Sequence, residues 1–140
     1  MVRSGEPGPN LPVLTQPDAV SAERPFCGTF RHSVDPKGRV AVPAQHRRWL
    51  PEGSVVAPGP DHRLRILPPV EWRREQDAFR RTAETPEQAR RFLRQLVGNA
   101  YPFEIDAQGR LLLTAAQRTW AEIDDTAVFI GMSKELSFCR

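Results

Sequence analysis

The chain has 140 residues, 39% of them hydrophobic and 26% charged, with 20 Lys and Arg against 17 Asp and Glu for a formal net charge of +3. That length suits one ordinary core, or two small halves sharing one, and excludes three separate domains. No apolar run reaches the length of a membrane span, and the mild positive charge is compatible with a polyanionic partner without specifying one.

Residues 1–25 contain Pro7, Pro9, Pro12, Pro17 and Pro25, without sustained periodicity and without a basic segment followed by an apolar one. They read as a disordered leader, not as a signal peptide. From Phe26 the composition changes, and CGTFRHSVDPKGRVAVP reads as a strand, a turn at Asp35-Pro36-Lys37-Gly38 and a second strand ended by Pro43. A short helical segment follows from Pro43 to Leu50, stopped by Pro51 and Gly53. SVVAPGPDHRLRIL then gives two further strands around a Pro/Gly turn, closing a first unit over residues 26–68.

A helix pair is predicted over residues 69–99. The first member runs from Pro69 through Arg81, with Thr82–Thr85 as the connection. The second, TPEQARRFLRQLVGNA, opens with Thr85 and Gln88 in a capping-box pattern and Pro86 at the first helical position. Ala89, Phe92, Leu93, Leu96, Val97 and Ala100 recur at three- and four-residue steps, which marks a core face opposite Arg90, Arg91 and Arg94. Residues 100–140 then repeat the order of the first unit: AYPFEIDAQGRLLL as strand, turn and strand, TAAQRTWAEI as a short helix, and TAVFIGMSKELSF as strand, turn and strand.

Residues 34–49 and 105–120 align with a constant offset of 71 and are identical at Asp35/Asp106, Gly38/Gly109, Arg39/Arg110, Ala44/Ala115, Arg47/Arg118 and Trp49/Trp120. Composition alone predicts roughly one such match, so the chain reads as an internal duplication. In each turn the aspartate can accept hydrogen bonds from the turn backbone and the glycine can take positive φ. Asp35, Gly38, Asp106 and Gly109 are therefore the turn-forming residues.

Turn chemistry does not require an arginine after each glycine, nor a second arginine eight residues later. Arginine bonds bidentately to a guanine edge or to phosphate, and a small rigid strand-turn element can enter a major groove. Lys37, Arg39 and Arg110 at the tips, with Arg47, Arg48 and Arg118 beyond them, are the candidate DNA-binding residues. Arg47 and Arg118 have a structural alternative, a salt bridge to Asp35 and Asp106 that brackets each hairpin.

Other chemistry is not announced. No phosphate-binding glycine loop or GxSxG elbow occurs, His32, His46 and His62 are spaced as ordinary surface histidines, and Glu71, Asp124 and Asp125 read as surface or capping acids. Cys27 and Cys139, near opposite ends, read as reduced thiols. No catalytic residue, metal or cofactor is expected, and the reading is not that of an enzyme. Trp49 and Trp120 are expected to pack in the core.

VDPKGRVAVPAQHRR resembles the swapped-hairpin DNA-binding segment of AbrB/SpoVT-type regulators, and the run from Phe26 to Cys139 resembles the bacterial MraZ family, built from two such units. Phe26-Cys27-Gly28 matches that family's F-x-G opening, and Asp35, Lys37-Gly38-Arg39, Pro43 and Arg47 match its first signature. Glu71-Trp72 matches an acidic-aromatic pair, Arg90 and Leu93 a middle helix, and Asp106 with Gly109-Arg110 the second signature. The resemblance implies an α+β fold: two tandem swapped-hairpin β-barrel units in pseudo-two-fold arrangement, joined by the helix pair. It further implies a cytoplasmic, nucleoid-associated regulator that binds double-stranded DNA as a ring-shaped homo-oligomer, on short tandem direct repeats in a promoter of cell-division and cell-wall genes. No membrane and no small-molecule substrate are expected. The rival reading is a protein-interaction module, an antitoxin-like partner or a ring scaffold whose tips no longer bind DNA.

Three features depart from the family pattern. The leader has no counterpart, Thr114 and Gln108 stand where the first copy has Pro43 and Lys37, and the chain stops at Arg140, where the family continues into a further helix. The C-terminal helix is accordingly expected to be absent, and the second tip to carry one cation fewer.

Overall fold

The structure, a computed structural model, describes residues 25–140; the leader expected over residues 1–24 lies outside them. Along the described chain run β1 (Thr29–Ser33), β2 (Arg39–Ala41), α1 (Ala44–Arg47), β3 (Val55–Pro58), β4 (Leu64–Leu67) and α2 (Pro69–Thr82). They are followed by α3 (Pro86–Gly98), β5 (Tyr101–Pro102), β6 (Arg110–Leu112), α4 (Ala115–Trp120), β7 (Thr126–Gly131) and β8 (Leu136–Cys139). The fold is α+β with antiparallel strand pairing. No helix of the described residues is long and apolar enough to cross a membrane.

A six-stranded sheet has the order β1-β7-β8-β4-β3-β5, and a separate ribbon pairs β2 with β6. Relabelling each strand by its counterpart in the other half returns the same order. The strands flanking each Asp-x-x-Gly turn therefore do not form a simple hairpin. They meet only at the single bridges Val34↔Val40 and Ile105↔Leu111, and their long ladders go to the other half. Phe30 lies opposite Phe129 in β1·β7, Val56 opposite Tyr101 in β3·β5, and Val40 opposite Leu111 in β2·β6. Strand β5 is only two residues long and contains Pro102, which donates no hydrogen bond to the ladder; the Phe103 N–H beyond it donates to the Ser54 carbonyl at 2.8 Å.

The exchange produces one core from both halves. Val40 and Leu111 press inward from the ribbon onto Val56, Ile66, Phe129 and Phe138 of the sheet, all of them buried. Phe129 and Phe138 stack with centroids 4.9 Å apart. Each such side chain contributes about 1.5–3 kcal/mol on burial, and the buried cluster draws on both halves. His46, expected at the surface, is fully buried between Phe26 and Phe30. Its Nε2–H donates to the Cys27 carbonyl at 2.9 Å, and burial pushes its pKa below the ordinary value.

The helix pair lies outside both sheets. Thr85 caps α3 by accepting from the Gln88 N–H at 3.0 Å, while Gln88 Oε1 reaches back to the Glu84 N–H at 2.9 Å. The apolar face of α3 is not core as the periodicity predicts: no residue of α3 is buried, and Phe92 and Val97 are 46% and 43% exposed. Helix α2 covers part of that face through a Phe79–Phe92 stack at 4.2 Å, and α3 also touches β3. Helix α2 is tied to the sheet by Arg65, whose Nη1 and Nη2 donate to the Glu75 carboxylate at 2.7 and 2.8 Å. The tryptophans also part company. Trp49 packs against the core, whereas Trp120 is 39% exposed, with Nε1 donating to the Arg63 carbonyl at 3.0 Å and its ring against His62.

Candidate nucleic-acid interface

Each turn is organised by its aspartate. Asp35 Oδ1 accepts from the backbone N–H groups of Lys37 and Arg39 at 3.0 and 2.8 Å, and the Gly38 N–H donates to the Asp35 carbonyl at 2.9 Å. Asp106 Oδ1 accepts from Gln108 and Arg110 at 2.9 Å each, and the Gly109 N–H donates to the Asp106 carbonyl at 2.9 Å. Gly38 and Gly109 have φ of +91° and +77°, which strains any residue with a Cβ. The Arg39 N–H, joined by the Arg39 guanidinium and the Lys37 N–H, holds the Asp35 carboxyl below its usual pKa against the opposing effect of desolvation. The Arg110 N–H acts likewise on Asp106.

The second oxygen of each aspartate holds the arginine after the glycine. Arg39 Nε donates to Asp35 Oδ2 at 2.8 Å, and Arg110 Nε to Asp106 Oδ2 at 3.0 Å. Arg110 Nη1 also lies 3.7 Å from Asp35 Oδ2, linking the two turns. This replaces the alternative in which Asp35 and Asp106 pair with Arg47 and Arg118. Arg39 and Arg110 leave the backbone inside the turns and reach the carboxylates directly, while Arg47 and Arg118 sit on helices packed against the opposite turn. Anchoring through Nε leaves the Nη groups of Arg39 and Arg110 without a hydrogen bond among the described residues.

Residues opposite one another in an antiparallel ladder share a face, and residues two apart along a strand share it too. With Arg39 opposite Leu112 and Ala41 opposite Arg110, these four side chains occupy one face of the β2·β6 ribbon, while Val40 and Leu111 face the core. On that face Leu112 is 60% exposed, while Arg39, Ala41 and Arg110 are partly buried. Leu112 and Ala41 were not singled out from the sequence. The alternation in RVA and RLL carries the signal, but only the cross-half pairing of β2 with β6 puts them beside the arginines.

The tips are not open above the glycines, as the turn pattern by itself suggests. Gly38 and Gly109 are buried. A Cβ on Gly38 would meet Arg118 Cδ and Nη1 at 3.2 Å, and one on Gly109 would fall within 2.6 Å of Arg47 Cζ. The glycine carbonyls cross over as well: Gly109 O accepts from the Val42 N–H at 3.1 Å and Gly38 O from the Leu113 N–H at 2.9 Å. Arg118 Nε is buried without a hydrogen-bond partner among the described residues. Lys37 and Arg48 are exposed. Arg48 lies over the Trp49 ring, 5.4 Å from its centroid, and lines a shallow groove with Arg47, Asp106, Gln108 and Gly109. No group of three or more His, Cys, Asp or Glu residues that could hold a metal ion occurs among the described residues.

The family model described as "MraZ protein, putative antitoxin-like" matches residues 26–95. The "Transcriptional regulator MraZ" of Desulfitobacterium hafniense (strain DSM 10664 / DCB-2) is 38% identical over 111 residues, covering 79% of this chain and 78% of the relative. The chain belongs to the MraZ family. Two further MraZ relatives, likewise named transcriptional regulators, are each 37% identical. The one from Natranaerobius thermophilus covers 79% of this chain and 78% of its own length, and the one from Corynebacterium urealyticum 76% and 74%. The MraZ family match spans the first turn, Arg47, Arg48 and helix α2.

Proposed function

We propose that this chain is a sequence-specific DNA-binding transcriptional regulator whose ribbon face, with Arg39 and Arg110, reads DNA. The observation that carries the reading is that the two arginines share one face of the ribbon, each held by its turn aspartate through Nε and with no hydrogen bond to its Nη groups among the described residues, Arg110 Nη1 lying 3.7 Å from Asp35 Oδ2. A guanidinium fixed in this way meets a base edge or phosphate bidentately with little further ordering. The relatives' shared name, transcriptional regulator, supports it. The strand exchange between halves fits a tandem pair of swapped-hairpin units, with residues 26–68 and 100–140 as the units and residues 69–99 joining them.

The finer reading is a ring-shaped homo-oligomer on short tandem direct repeats, in a promoter of cell-division and cell-wall genes, in the cytoplasm at the nucleoid. Half-exposed Phe92 and Val97 on the outlying helix pair support self-association, because an apolar helical face of that kind gains from cover. Many weak tips on one ring would add avidity without a new contact. Recovering DNA bound to the full-length chain across its genome tests the proposal. Discrete peaks over tandem repeats are expected, and uniform background would contradict it. Retention of a protein partner in place of DNA would favour the interaction-module reading, towards which the family description's "antitoxin-like" points.

A further inference from the structure

Arg47, Arg118 and Arg48 stand outside the turn chemistry. The first two occupy equivalent positions in the duplication, yet neither meets the aspartate of its own half. Arg47 covers Gly109, and Arg118 covers Gly38. Together with the crossed carbonyl bonds, Val42 N–H to Gly109 O and Leu113 N–H to Gly38 O, each turn is backed by the strand end and the helix of the other half. The same crossing carries Arg48 to the second tip, into the groove beside Gln108 and Asp106. Its counterpart 71 residues later is Thr119, an uncharged residue. The tip that has Lys37 is thus backed by Arg118, and the tip that has Gln108 by Arg47 and Arg48.

We propose that each tip is assembled from both halves, with Arg47 and Arg118 as positioning residues bracing the opposite turn, and Arg48 supplying at the second tip the phosphate-contacting cation that Gln108 lacks. With the braces left out of the count, each tip then presents two cations: Lys37 and Arg39 at one, Arg48 and Arg110 at the other. The brace stands on geometry alone, while the role of Arg48 rests on the DNA-binding reading above. The expectation of a weaker second tip follows from its hairpin sequence only and disappears once the opposite helix is included.

Two measurements on the full-length chain test this. In thermal unfolding without DNA, Gly109→Ala should lower the midpoint less in an Arg47→Ala background than in the wild type, because the collision is relieved while the strain at positive φ persists. Gly38→Ala, whose Cβ would meet the Leu113 carbonyl at 3.1 Å and Arg118 at 3.2 Å, should lower it equally in both backgrounds. Additive effects of Arg47→Ala and Gly109→Ala would overturn the brace. In titrations of a mixed-sequence duplex across salt concentrations, Arg48→Ala should flatten the dependence of log K on log salt by about one unit per tip engaged, and Gln108→Lys should restore it. Arg47→Ala, still folded, should weaken binding with the salt slope unchanged. A slope unaffected by Arg48→Ala overturns its phosphate role, and a flattened slope for Arg47→Ala overturns its assignment as a positioning residue. Failure of the wild-type chain to bind the duplex overturns the DNA reading together with the role of Arg48, while the unfolding cycle decides the brace independently.

Discussion

His46 shows how one enclosed side chain links folding to pH. Its Nε2–H is committed to the Cys27 carbonyl, and burial between Phe26 and Phe30 lowers its folded pKa. A histidine depressed in this way contributes stability that is fully present above its unfolded value, about 6.5, and is lost as pH falls from there through the folded value. The thermal midpoint should therefore drop as pH falls below about 6.5, and should drop less in His46→Gln, whose amide can still donate to Cys27. An unchanged slope in that variant would place the titration elsewhere. Asp35 has a different double task, shaping the turn with Oδ1 and holding Arg39 with Oδ2. Asp35→Asn keeps the backbone bonds and removes the anionic hold. Circular dichroism should find the fold intact while duplex titration finds weaker binding; undiminished affinity would mean that the ion pair does not organise Arg39 for DNA.

At the scale of elements, the short helices α1 and α4 differ for a local reason. Pro43 precedes α1 with no capping side chain, whereas Thr114 accepts from the Gln117 N–H at 3.0 Å and Gln117 Oε1 accepts from the Thr114 N–H at 2.9 Å, a complete capping box. The departure from Pro43 to Thr114 gives α4 a firmer start. Thr114→Ala should cost about 1 kcal/mol in denaturant unfolding, and a neutral result would show that tertiary packing alone holds α4. The turns and the capped helix were legible in the sequence because Asp-x-x-Gly and Thr-Pro-x-Gln act over a few neighbouring residues. The face of α3 was misplaced because periodicity reports that a face is apolar, not what covers it. The partners of Arg47 and Arg118 escaped the sequence for a related reason. The turns in question lie in the opposite half, and residue spacing alone does not say that α1 packs on the second turn.

For the molecule as a whole, strand pairing runs between the two halves, β1 with β7, β3 with β5 and β2 with β6. Exchanged strands merge the halves into one core, and the ribbon β2·β6 sets both arginines on a common face. The outlying helix pair leaves Phe92 and Val97 nearly half exposed, so light scattering should find an assembly larger than a dimer, and Phe92→Glu should reduce it without unfolding the sheet. A monomer across micromolar concentrations would remove the ring and its avidity. The central claim is that Arg39 and Arg110 read DNA, and it is tested most directly by titrating the Arg39→Ala/Arg110→Ala chain against a duplex recovered from the genome and a random one. Loss of about 1–3 kcal/mol of specific binding per engaged site is predicted, with the thermal midpoint little changed; full affinity for the recovered duplex in a folded double variant would contradict it.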